Sequence, residues 1–231
     1  MNFNIIIEYK NEIIRDKKVL LKKPYTLLLL PFLLIRFIYL RFKKNVTTVY
    51  LLEMDLTPKG IRDFKYIIID KYGECQEIIK KRIIEENRKD NYEGLVKKRL
   101  EKGDRIYLLY DNKIPVSFLF VSYKEAILTP INYKFTLPEN YIAIYDVYTF
   151  SEYRGKGYYK DLFNFTINYN YLKGYRKVYL WLMKHNKVSI ISHNKIGIDK
   201  VVEELIEEIK YFRRKIYRKK VLYNSLNLIE Q

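Results

Sequence analysis

The stretch Tyr145 to Tyr159, YDVYTFSEYRGKGYY, decides how the chain is read. Tyr145 to Thr149 is rich in β-branched and aromatic residues and reads as the end of a strand. Gly155 and Gly157 then fall in a turn, and a helical pattern runs from there to about Tyr171. Glycine lets the backbone turn sharply and lets its N–H groups approach a ligand with no Cβ in the way. The first turn of the following helix adds N–H groups that lack intrahelical partners, together with the positive end of the helix dipole, and this combination suits a pyrophosphate. Arg154 and Lys156 add positive charge. Two glycines alone also fit a plain helix start with a flexible basic loop, so the flanks have to decide.

The strand run that enters the turn extends back to Tyr141. Downstream, Gly174 breaks the helix before Lys177 to Met183, KVYLWLM, a buried-strand run, and Val188 to Asn194 is a short helix ending near Gly197. Val201, Leu205, Ile209, Phe212 and Ile216 then recur at helical spacing, which predicts a helix over Val201 to Tyr217. Upstream, Val46 to Leu56 reads as a first strand closed by the turn Thr57-Pro58-Lys59-Gly60. Ile61 to Arg99 is charged and apolar at helical spacing with a break near Lys89 to Tyr92, which predicts two helices, and Gly103-Asp104 closes the second. Arg105 to Tyr110 and Ile114 to Ser122 form a hairpin about Asp111-Asn112-Lys113.

With 231 residues the chain is long enough for one domain and an extension. A hydrophobic share of 48% places it among globular proteins. The formal charge of +17 invites a polyanionic partner. A coding sequence biased toward Lys, Ile, Asn and Tyr produces the same charge, and no nucleic-acid-binding motif is present, so nucleic acid is not the expected partner. Cys75 is the only cysteine. It permits no intramolecular disulfide and no thiolate zinc cluster, and no metal is expected. Met1 to Arg15 lacks the pattern of a secretory signal, so a cytoplasmic protein is expected.

Residues 1–45 read as an N-terminal extension built on Tyr25 to Leu40, YTLLLLPFLLIRFIYL, with lysines and arginines on both flanks. The run is short for a membrane span and carries Pro31 and Arg36 inside. Its basic flanks suit a helix lying on an anionic membrane surface through residues 25–44, at the inner face of the membrane. A buried or oligomer-forming helix is the other reading, and a homodimer belongs with it.

The segment Glu152-Tyr153-Arg154-Gly155-Lys156-Gly157 after its strand resembles the acetyl-CoA-binding motif of the GNAT superfamily of acyl-CoA N-acyltransferases. The pattern is Gln or Arg, two residues, Gly, one residue, Gly or Ala; Arg154 and Gly157 match it and Tyr159 departs at its last position. Ser151 stands where a proline is common. Asn186, Ser189, His193, Lys195 and Gly197-Ile198 resemble a second run of the superfamily, with His193 in the place of its tyrosine. The resemblance covers roughly Val46 to Ile198.

It implies an α/β (α+β) fold over 46–231: a central mixed, mostly antiparallel sheet flanked by helices, with the apolar helical extension before it. For 199–231 it implies two antiparallel strands, against the helical spacing read there. It implies acetyl-CoA as co-substrate, held by Val147, Tyr148 and Thr149, by Arg154, Gly155, Lys156, Gly157, Tyr158 and Tyr159, and by Asn186 and Ser189. It implies direct attack of an amine on the thioester, with His193 giving a proton to the departing thiolate; Glu53, Asp146 or a water chain are the candidates to take one from the amine. A small-molecule or sugar amine is the expected acceptor. The competing reading is an inactive fold of the same kind, serving as a membrane-surface scaffold.

Overall fold

The structure, a computed structural model, describes residues 45–86, 91–198, 200–210 and 213–223. The chain forms two compact units, residues 47–207 with 216–231, and residues 1–46 with 208–215. In the smaller unit the described residues are extended strand at 45–46, 208–210 and 213–215. The apolar run 25–40 and its flanks to 44 lie outside the described residues.

The order of elements is β1 (Asn45–Asp55), β2 (Lys65–Ile69), α1 (Gln76–Glu85), α2 (Tyr92–Glu101), β3 (Arg105–Asp111) and β4 (Ile114–Ser122). A small hairpin follows, β5 (Glu125–Leu128) and β6 (Tyr133–Thr136). Next come β7 (Tyr141–Thr149), α3 (Tyr158–Leu172), β8 (Lys177–Met183), α4 (Lys187–Lys195), β9 (Val201–Lys210) and β10 (Arg213–Tyr223). Eight strands make one sheet in the order β10-β9-β1-β8-β7-β4-β3-β2, and β5 and β6 pair separately. The expected α/β architecture, with a mostly antiparallel sheet between helices, is present.

Alternation along the strands sorts side chains to two faces. Leu52, Leu109, Leu119, Ile142, Leu180 and their neighbours pack with Leu162, Phe163 and Ile167 of α3 and Ile190 of α4. On the other face, Ile106, Leu108, Phe118 and Phe120 pack with Ile78 and Ile79 of α1 and Val96 and Leu100 of α2, while Leu128 of β5 joins Val49 and Leu51. Phe163 is fully buried, and Phe163→Ala costs about 3–5 kcal/mol by the usual cavity penalty.

Two sequence expectations are corrected. The strand leading into the two helices is β2, an edge strand paired with β3, in a region read as helix. Val46 to Leu56 does form a strand, but it lies between β8 and β9. At the C-terminus Val201–Lys210 and Arg213–Tyr223 are strands, the alternative the resemblance implied, and not the helix that the spacing predicts. The spacing misleads because four is a multiple of two: Val201, Leu205 and Ile209 share one face of a strand as well as one face of a helix. Ile216 lies in β10, so the apparent period runs on over two strands.

Candidate active site

β7 carries the site, and two irregularities make it usable. Against β4 the register shifts, with Tyr148 opposite Phe118 and Tyr145 opposite Phe120. Asp146 and Val147 therefore share the single opposing residue Leu119, a β-bulge that re-aims the strand. Asp146 sits at φ 51°, a left-handed conformation that aspartate tolerates better than most residues. Against β8 the pairing is parallel and confined to Tyr141–Ala143 with Lys177–Tyr179. Beyond it β8 follows β1, reaching Met183 opposite Val49. The edge of β7 from Ile144 to Thr149 thus faces a gap where a parallel strand would otherwise continue.

At the end of β7, Ser151–Tyr153 forms one 3₁₀ turn, tied back by Ser151 N–H donating to Glu85 at 2.6 Å. Arg154 Nε donates to the Thr149 carbonyl at 3.0 Å. Gly155 and Gly157 stand at φ 80° and 84°, where any other residue is strained. Gly157 is the N-cap of α3, so the first N–H groups of the helix, which lack intrahelical partners, follow directly on this turn. The position a Cβ would take on Gly155 is in open space, leaving room for a ligand to approach the backbone. Arg154 and Lys156 are exposed around this turn. Tyr158 turns inward and its hydroxyl donates to Asp111.

Tyr159 packs toward α4. Its ring centroid lies 5.8 Å from that of His193, and its hydroxyl lies 3.4 Å from His193 Nε2. His193 is buried, with Nδ1 2.6 Å from the Ser189 carbonyl oxygen. Burial pushes its pKa down, and the Ser189 bond only partly opposes this. Nδ1 therefore carries the proton and donates to Ser189, leaving Nε2 to accept from Tyr159. A neutral imidazole so arranged carries its proton at Nδ1 and not at Nε2. Asn186 caps α4, accepting from Ser189 N–H at 3.1 Å.

Both candidate bases are engaged. Asp146 is held by Arg82 of α1 at 2.6 Å and Arg99 of α2 at 2.5 Å, and it accepts from Tyr92 at 2.9 Å. Burial alone would raise its pKa, but the charges of Arg82 and Arg99 outweigh burial and hold it below the usual carboxylate range. Glu53 meets Lys177 at 3.0 Å and Lys200 at 3.4 Å, and Tyr141 donates to it at 3.2 Å. Burial again acts upward, and Lys177 followed by Lys200 brings its pKa below the ordinary value. Glu53 lies beside Tyr179 in register, at the closed end of the β7–β8 opening, whereas Asp146 lies at the bulge.

Sequence reasoning missed Arg62, Arg82, Arg99 and Tyr92. Arg62, in the loop between β1 and β2, donates to the Asp161 carboxylate and to the Lys156 carbonyl. A signal was available: Asp161, Asn164 and Asn168 are spaced three and four apart on α3, a polar stripe on a helix face that is otherwise core. Among the described residues no cluster of His, Cys, Asp and Glu could hold a metal, and no helix is long and apolar enough to cross a membrane.

The chain thus joins a strand parted from its parallel neighbour to a glycine turn at a helix N-terminus. The family model for the Acetyltransferase (GNAT) family matches residues 73–198, more than half of the 231 residues, and the chain belongs to that family. Among solved structures, the fold is similar to a GCN5-related N-acetyltransferase from Sphaerobacter thermophilus, at 13% identity and TM-score 0.50, covering 83% of this chain and 58% of the other. A putative GNAT acetyltransferase from Novosphingobium aromaticivorans aligns at 12% identity and TM-score 0.49, over 77% and 66% of the two chains. A predicted acetyltransferase from Clostridium acetobutylicum, solved with acetyl-CoA, aligns at 14% identity and TM-score 0.41, over 58% and 89%. The chain thus spans about two thirds or less of the first two. A search of curated proteins found no match.

Proposed function

We propose that the chain transfers an acetyl group from acetyl-CoA to a primary amine by direct attack. The observation that carries this is the parting of β7 from β8 after Ala143 and Tyr179, on the same strand that ends in the left-handed turn at Gly155 and Gly157. Acetyl-CoA supplies an activated acyl thioester. The backbone of Val147, Tyr148 and Thr149 offers hydrogen-bonding groups along the open edge. The N–H groups from Gly155 to Tyr159 accept the pyrophosphate, with Arg154 and Lys156 adding charge. Asn186 and Ser189 fix the start of α4 on the other side.

Orientation of the two substrates supplies most of the acceleration. The Tyr159 O–H, resting on His193 Nε2, can turn toward a departing thiolate, so Tyr159 is assigned as proton donor with His193 as its positioning partner. Because Glu53 and Asp146 are both held ionised by cations, each is a weak base near pH 7. The amine proton is assigned to water along the cleft. A small amine or an amino sugar is the proposed acceptor, and attachment to the inner face of a membrane through residues 25–44 remains part of the proposal.

Thermal melting with acetyl-CoA tests this directly, because a ligand bound only by the folded state raises Tm by mass action. A rise, followed by release of free CoA thiol when amine pools are supplied, is expected. No shift at saturating acetyl-CoA would overturn the enzyme reading in favour of an inactive scaffold.

A further inference from the structure

The loop between β1 and β2 is strapped along the outside of α3 by the polar stripe on that helix. The Lys59 peptide and the Asn168 amide pair both ways at 2.7 Å. Asn164 Nδ2 donates to the Gly60 carbonyl at 2.7 Å. Lys59 Nζ reaches across to the Ile196 carbonyl beyond α4 at 3.2 Å. The strap ends at Arg62, whose guanidinium lies over the rings of Phe64 at 4.8 Å and Tyr158 at 5.7 Å. From there Nε donates to Asp161 at 2.9 Å and Nη2 donates to the Lys156 carbonyl at 3.0 Å.

The second bond falls on the peptide between Lys156 and Gly157. A trans peptide is planar, with its C=O and N–H pointing opposite ways. Holding the Lys156 carbonyl toward Arg62 therefore turns the Gly157 N–H away from Arg62, and the same guanidinium ties that peptide to Asp161 in the first turn of α3. Glycine has little intrinsic preference for this conformation, so an external brace is required to select it.

We propose that Arg62 is a positioning residue of the cofactor site: it presets the Gly155–Gly157 turn in the form that accepts the CoA pyrophosphate. Lys59, Gly60 and Arg62 lie before residue 73, where the match to the family begins, and their partners on α3 and beyond α4 lie within it. The inference rests on the acetyl-CoA reading above.

The test uses the full chain and measures the dissociation constants of CoA and dephospho-CoA by calorimetry for wild type, Arg62→Gln, Arg62→Lys and Asp161→Asn. Arg62→Gln is expected to weaken CoA about tenfold, the scale of losing charge-assisted hydrogen bonds. Asp161→Asn, which breaks the brace from the other side, is expected to weaken it too. The double variant should fall short of the product of the two losses. Arg62→Lys should recover part of the binding. The factor should be the same for dephospho-CoA, because the turn serves the pyrophosphate. CoA binding that is unchanged in folded Arg62→Gln overturns the role of Arg62. A loss that disappears with dephospho-CoA also overturns it, by making Arg62 a direct ligand of the 3′-phosphate. Wild-type protein that binds neither ligand overturns the acyltransferase reading itself.

Discussion

The hydroxyl of Tyr159 lies 3.4 Å from Nε2 of His193, so two of the positions that depart from the motif pattern are in contact. One substitution removes the small residue near the phosphate turn, the other removes the tyrosine of the second helix, and together they place a tyrosine hydroxyl between α3 and α4 again. Tyr159→Phe and His193→Phe should each lower turnover with CoA affinity kept within about twofold. Their combined effect should be no larger than the greater single one, as for residues acting as a unit. Multiplicative losses would separate them.

Stability carries the same signature. Burial holds the folded His193 below its ordinary pKa, so as pH falls the unfolded chain takes up a proton first. The contribution of this group is present above about 6.5 and is lost as pH falls from there toward the lower folded value. Tm scanned from pH 8 to 5 should drop more in wild type than in His193→Gln. Parallel curves would mean that the imidazole is not buried in its neutral form.

Asp146 pairs with two buried guanidinium groups at the bulge. Asp146→Asn keeps the shape and removes the charge, leaving buried Arg99 without its carboxylate and Arg82 with Glu86 alone, at a cost of about 3–5 kcal/mol in urea unfolding. A variant as stable as wild type that loses only kcat would restore Asp146 to the role of base.

The two glycines of the turn should respond differently. Both have positive φ, but a Cβ on Gly157 would stand 3.3 Å from Arg62 Nη2 while one on Gly155 meets nothing within 4 Å. Gly155→Ala should cost only backbone strain of about 1–2 kcal/mol. Gly157→Val should abolish acetyl-CoA binding outright. Calorimetric titration distinguishes them, and equal losses would count against the brace at Arg62.

Glu53→Gln tests the other carboxylate. Its folded pKa is depressed below 4.5, so its stabilisation is present above that value and disappears as pH falls through the lower folded one. The urea stability difference between wild type and variant should shrink from pH 6 to pH 3. Turnover at pH 8 should survive; a loss beyond about a hundredfold would identify Glu53 as a general base.

The glycine turn, its helix and the strands around it were legible because their signals are local: φ-permissive glycines, a change of period, clear breakers. β2 was missed because Lys65–Ile69 is a short run with three consecutive isoleucines, which periodicity cannot assign. The place of β1 was missed because pairing partners are chosen by tertiary contacts and leave no mark in the strand itself. The ion pairs of Asp146 with Arg82 and Arg99 come from two other helices and are not legible in the strand that carries it. The burial of His193 and its contact with Tyr159 join two helices and leave no mark in the local sequence. The brace at Arg62 depends on a contact across about a hundred residues.

The position of β1 bears on how the molecule is made. Its partner β8 follows about 120 residues later, and at translation rates of about 5–20 residues per second that is a delay on the order of ten seconds. Throughout that interval an apolar ribbon containing Val49 to Leu52 waits with both edges open, so newly made chains should depend on chaperones more than the finished protein's stability would suggest.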